Sequence, residues 1–280
     1  MLLYSRTANS LTLCRALWTL VSLITINIAA AQSSHQIFEH LTTEHGLSSN
    51  KVEAILQDKE GFYWIATQNG LNRFDGTSFK IFHNKTNDTT SLSHNHCTSI
   101  IEDANGDIWV GTFNGLSRYI KKKGNFQQII FQHPSQSPEI ANIIRDIQSD
   151  AEGNIWVTGS ALWKFNPMTN ASSIFLPAAA GSISNDENLF EINYDATHNG
   201  LWISPGGEIN FYSISKDTFY SAEYNPLEWK IFDYEELKTP VIDDQSNVWC
   251  YDSYTGSLNR ISMIISFKNI RKHLPLHLEN

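Results

Sequence analysis

Five tryptophans stand at positions 64, 109, 156, 202 and 249, at spacings of 45, 47, 46 and 47 residues. A period of this length marks a supersecondary unit that buries its apolar face only against its neighbours, so the chain must fold as an array of like units. The same phrase precedes each tryptophan: Asp58 and Gly61 before Trp64, Asp103 and Gly106 before Trp109, Asp150 and Gly153 before Trp156. Two later copies are degenerate. Asp195 stands seven residues before Trp202 instead of six, and Asp243 keeps its spacing to Trp249 with Ser246 in the glycine position. A second phrase follows in register: Gly70, Leu71, Arg73 and Phe74, then Gly115, Leu116, Arg118 and Tyr119, then Ala161, Leu162, Lys164 and Phe165.

Each unit reads as four short strands. In the first, residues 52–57 alternate, 62–67 are aromatic and β-branched, 71–74 follow a glycine turn and 79–82 close the set. The pattern excludes helical repeats. It predicts an all-β fold, a β-propeller of four-stranded antiparallel blades, about five in number, with repeats at approximately 42–86, 87–133, 134–178, 179–226 and 227–268. The Asp-x-x-Gly step is a turn in which the carboxylate accepts from backbone amides two residues on and glycine supplies a positive φ. Each tryptophan is expected between adjacent sheets. Ring closure depends on the ends: residues 36–41 resemble an outer closing strand, whereas 258–267 read as one long third strand or as a third and a fourth. In the second case the ring would be incomplete and the chain a fragment of something longer.

With 20 Lys and Arg against 29 Asp and Glu, the chain carries a formal charge of -9. Such a surface disfavours nucleic acid, whose phosphates are held by clustered cations. Arg6 and Arg15 flank a polar start, residues 16–31 run apolar, and Ala29, Ala30 and Ala31 precede Gln32. These are the parts of a secretory signal peptide over 1–31, with cleavage after Ala31 and export to the periplasm. Of the remaining cysteines, Cys97 and Cys250 are read as buried free thiols, too few for a disulfide framework.

Three groups invite chemistry. His94, His96 and Cys97 form a metal-like string, but strand alternation sets His96 and Cys97 on opposite faces, so no metal site is expected. The turn aspartates cannot form a glycosidase pair, which needs two carboxylates about 5–9.5 Å apart, because one per blade spreads them around a ring. Aromatics outside the repeat register, above all Trp163, Tyr212, Trp229 and Tyr254, are the candidate platform for stacking a sugar ring. No catalytic residue and no cofactor is expected.

The phrases Gly46-Leu47-Ser48-Ser49-Asn50 and Ser91-Leu92-Ser93-His94-Asn95, each followed by the Asp, Gly, Trp and Gly-Leu positions, resemble the two-component regulator propeller repeat. The resemblance covers residues 36 to about 262 and implies the extracytoplasmic sensor region of a hybrid histidine kinase. It further implies an oligosaccharide ligand, a downstream sensor or kinase polypeptide, and a membrane span and kinase absent from this chain. A secreted propeller glycosidase or lyase, or a protein-binding scaffold, are the alternatives.

Overall fold

A computed structural model describes residues 40–175, 189–205, 209–233, 237–243, 247–252 and 257–262. Contacts divide the chain into two units, 1–41 and 42–280, and the sheets belong to the second. The proposed signal peptide, Tyr254, nearly all of the expected closing strand at 36–41 and the end of the 258–267 segment lie outside the described residues.

Five antiparallel sheets follow one another along the chain, four of them four-stranded and the last with three described strands. Blade 1 comprises β1 (Val52–Gln57), β2 (Tyr63–Thr67), β3 (Gly70–Phe74) and β4 (Phe79–Phe82). Blade 2 comprises β5 (Cys97–Glu102), β6 (Ile108–Thr112), β7 (Gly115–Ile120) and β8 (Asn125–Ile129). After a short helix α1 (Pro138–Ala141), blade 3 comprises β9 (Asp146–Ser149), β10 (Ile155–Thr158), β11 (Leu162–Asn166) and β12 (Ala171–Phe175). Blade 4 comprises β13 (Leu189–Asp195), β14 (Gly200–Pro205), β15 (Asn210–Ser213) and β16 (Thr218–Tyr220), and blade 5 comprises β17 (Leu237–Ile242), β18 (Asn247–Asp252) and β19 (Ser257–Ser262). Each sheet is a plain meander, and the first strands β1, β5, β9, β13 and β17 pack side by side in that order. This is the β-propeller that the repeat predicts, with first strands innermost.

One carboxylate organises each turn and each core. Asp103 accepts the amides of Asn105 and Asp107 on Oδ1 and the Trp109 indole N–H on Oδ2, at 2.8, 3.0 and 2.9 Å. The indole bond recurs in every blade: Trp64 to Asp58 at 2.8 Å, Trp156 to Asp150 at 2.8 Å, Trp202 to Asp195 at 3.2 Å and Trp249 to Asp243 at 2.8 Å. A buried indole N–H needs such a partner. The longest of the five is in the copy with one extra residue, where His198 Nδ1 also meets Asp195 Oδ2 at 2.7 Å.

The Leu-Ser phrase pins the loops entering blades 1 and 2. Ser93 accepts no register from its own strand; instead its amide donates to Ser117 Oγ at 3.0 Å and its hydroxyl meets Thr112 Oγ1 at 2.8 Å. Ser48 does the same with Asn72 and Thr67 in blade 1. The next asparagine reaches back across the boundary: Asn95 O accepts from the Gly70 amide at 2.6 Å, and Asn142 O from the Gly115 amide at 2.7 Å. Blades 1 and 2 are further joined by Lys121, whose Nζ lies 2.9 Å from Asp58 Oδ2 and 3.2 Å from Glu102 Oε1. Burial alone would raise the Asp58 carboxyl, but hydrogen bonds from Trp64, Lys121 and Phe62 outweigh it and hold it below its ordinary value.

Candidate ligand-binding rim

The two ends of the blades differ in chemistry. At one end lie the aspartate turns, whose carboxylates accept backbone amides on Oδ1 and the tryptophan indole N–H on Oδ2. At the other end lie the loops that enter each first strand and the turns between second and third strands. Here the sequence departs from its own repeat, and side chains that bear chemistry come together.

Gln68 Nε2 donates to Glu53 Oε1 at 2.8 Å, and the same oxygen lies 3.4 Å from His96 Nε2 of blade 2. The His96 ring stacks on Phe113 with centroids 3.7 Å apart and planes at 17°. Arg145, immediately before β9, sets its guanidinium 5.7 Å from the Phe113 centroid, close enough for a cation–π contact. His94 is 6.2 Å from Phe113, and its Nδ1 accepts the His96 amide at 3.0 Å. Partial burial, and then the neighbouring His96, lower the His94 pKa, so its imidazole favours the neutral form. The result is a continuous run of carboxylate, amide, imidazole, aromatic ring and guanidinium across blades 1, 2 and 3. Planar hydrogen-bonding groups beside an aromatic face are of the kind that hold hydroxyl-rich ligands.

The metal-like string separates as alternation requires. Cys97 is buried in the core between blades 1 and 2, its thiol pushed up to about 12 by burial, while His96 faces Phe113 at the rim. Cys250 is likewise a buried free thiol, pushed up to about 12. The expected aromatic platform is corrected by packing. Trp163 is buried and stacks on Phe131 at 4.9 Å, Tyr212 is buried with its hydroxyl donating to Asp217 Oδ1 at 2.5 Å, and Trp229 packs on Trp202 at 5.3 Å. None of the three offers a ring face to a ligand. Trp163 occupies the register position of Asn72 and Ser117, so a polar anchor in blades 1 and 2 becomes core filler in blade 3. Glu53, Gln68, Phe113 and Arg145 were not expected from the sequence; their one signal is that Gln68 and Phe113 follow the repeated Thr67 and Thr112 without matching each other.

On the first strand of blade 3, Asp146 is held at about 6, above its ordinary 3.8, by burial and then by nearby Glu191, against amide donors from Ile192 and Ile147. A raised carboxylate keeps its proton in the folded chain while the unfolded chain has lost it. Stability is therefore expected to fall as pH rises from about 4 to about 6 and to level off above, by at most on the order of 3 kcal/mol. Thermal melts across that window should show the decline, and Asp146→Asn should flatten it.

Comparison with known proteins places these features. The family described as two component regulator propeller matches at residues 46–69 and 91–114, the Leu-Ser loops through the second-strand turns of blades 1 and 2. Histidine kinase P4 of Formosa agariphila is 44% identical over 73 residues, 26% of this chain and 5% of that protein. The extracellular domain of a hybrid two-component system from B. thetaiotaomicron superposes with a TM-score of 0.61 at 21% identity, over 80% of this chain and 32% of that one. Virginiamycin B lyase from Staphylococcus aureus superposes with a TM-score of 0.57 at 15% identity, over 84% of this chain and 76% of that one. The two structural likenesses establish the propeller fold. The chain spans about a third of the solved extracellular domain and a twentieth of the kinase.

Proposed function

Because the chain carries two-component regulator propeller repeats, we propose that it is the ligand-sensing propeller of a two-component signalling system, exported to the periplasm and reporting to a kinase-bearing polypeptide. The ligand is an oligosaccharide, and the rim is where it binds. The observation that carries this reading is the run from Gln68 through Glu53, His96 and Phe113 to Arg145, which crosses two blade boundaries. A sugar held by that run contacts three blades at once. It therefore favours one relative placement of the blades over others, and differential affinity is what a sensor needs to shift an equilibrium.

Calorimetric titration against a panel of neutral oligosaccharides tests it. At least one member should bind, and Glu53→Gln and Phe113→Ala should each weaken that binding by about tenfold or more, roughly 1.4 kcal/mol, with unchanged melting behaviour. Binding that ignores both substitutions would place the ligand elsewhere. Turnover of any panel member would favour the lyase or glycosidase reading.

A further inference from the structure

Register aligns Ala54 of β1, Ser99 of β5, Asp146 of β9 and Glu191 of β13 at one level of the ring. Each precedes the isoleucine (Ile55, Ile100, Ile147 or Ile192) that pairs with the residue after the blade's tryptophan. Ala54 has no polar side-chain atom, and Ser99 Oγ has no hydrogen-bond partner among the described residues. In blade 3 the same position holds a carboxyl group that spans the boundary. Asp146 Oδ2 accepts the Ile192 amide of blade 4 at 3.2 Å, and Oδ1 accepts the Ile147 amide of its own strand at 2.8 Å. Blade 4 is thus tied to blade 3 through an acceptor that can gain or lose a proton.

The elements packed on β9 are β10, β13, β5 and β6. Neither β10 nor β6 carries a titratable side chain. On β5 stand the buried thiol of Cys97 and, at the far end of the strand, Glu102, which pairs with Lys121. On β13 stand Glu191, Tyr194 and Asp195, the last bound to Trp202 and His198 at the aspartate turn. Arg145, which precedes Asp146, sets its guanidinium against Phe113. Among the described residues, Glu191 is the charge that acts on the Asp146 carboxyl, and it is of like sign. Ionisation of Asp146 therefore strips a carboxylate of water and sets it near another at the contact of two first strands, a cost that the protonated carboxyl avoids.

We propose that the boundary between blades 3 and 4 is a proton-operated joint, closed while Asp146 carries its proton and loosened when the carboxylate forms near Glu191. The joint adjoins the rim, since Arg145 is the neighbouring residue and its amide donates to Thr158 O at 2.8 Å within blade 3. It works without a ligand. The carboxyl is held at about 6 in the closed boundary against 3.8 in an open one, so closure is favoured fully below about 4 and weakens as pH rises through about 6.

Hydrogen exchange of the full chain from pH 5 to pH 7, read by mass spectrometry and corrected for the intrinsic pH dependence of exchange, tests the joint. Protection of Leu189–Asp195, the strand that donates to Asp146, should fall by about tenfold across that range, the change that one proton with these two affinities produces. Cys97–Glu102, at the boundary between blades 1 and 2, should keep its protection. Asp146→Asn, and Asp146→Ser, which copies blade 2, should each abolish the fall. Constant protection of Leu189–Asp195 would overturn the joint, as would a fall shared equally by Cys97–Glu102, which is global unfolding, or one that survives both substitutions.

Discussion

Trp109→Ala is expected to cost the propeller about 3–5 kcal/mol, the range for removing a large aromatic side chain from a packed core. The indole is fully buried between blades 2 and 3, against Ile147, Ile155, Val157 and Phe165. Its loss opens a cavity and also strips Asp103 Oδ2 of the 2.9 Å indole bond, leaving a carboxylate oxygen at a buried turn without its donor. Trp109→Phe separates the two contributions, since it restores most of the volume but no N–H. It should recover more than half of the loss. Chemical denaturation followed by circular dichroism reads both, and a near-neutral Trp109→Ala would contradict the placement of this residue between blades.

Gly115→Ala should be nearly as damaging, whereas Gly153→Ala should be mild. Both glycines have positive φ, +88° and +80°, which costs any L side chain about 1 kcal/mol. They differ in space. A Cβ on Gly115 would come within 2.4 Å of the Ile129 carbonyl oxygen and 2.8 Å of Ile130 Cδ1, while a Cβ on Gly153 meets nothing within 4 Å. The backbone at Gly115 cannot retreat easily, because its amide donates to Asn142 O across the boundary between blades 2 and 3. A loss of about 3 kcal/mol or more is expected there against about 1 kcal/mol at Gly153. Equal effects on the two melting temperatures would mean that the turn conformation alone sets the requirement for glycine.

The repeat made the fold legible because a strand's exposure alternates and a turn's chemistry is local. Residues 52–57, which alternate, and 79–82, which close the four-strand set, appear with those bounds as β1 and β4. The aspartate was read as a turn acceptor, which is half of its work. The indole bond escaped because a spacing of six residues does not fix side-chain torsions, and only the paired strands bring Oδ2 beneath the ring. The first-strand bulges at Val52/Ala54, Cys97/Ser99, Leu189/Ile192 and Lys238/Val241 were equally invisible, for they arise when a strand bends to line the ring.

The candidate site was less legible, and for a physical reason. The sequence reads the aromatics outside the repeated phrases as a surface platform, but the strand register is kept in blades 3 and 4: Tyr212 stands where Phe74, Tyr119 and Phe165 stand and Trp163 where Asn72 and Ser117 stand, and both are packed into the core. The rim is made of residues from three different blades, more than ninety positions apart from Glu53 to Arg145. No local window of sequence contains them together. His94 and His96 stand out as a pair, yet Glu53 is set beside His96 only by the lateral packing of β1 and β5, and Phe113 by the pairing of β5 with β6.

The histidines give the most direct test of the central claim, that the rim is the ligand site. Imidazole resonances of His94, His96 and His198 would be followed by NMR while neutral oligosaccharides are added. His198 is the internal control, since it sits at the aspartate-turn end of blade 4 against Asp195. The account predicts saturable shifts at His94 and His96 with His198 unmoved. Shifts confined to His198, or a bound oligosaccharide that moves none of the three, would contradict it.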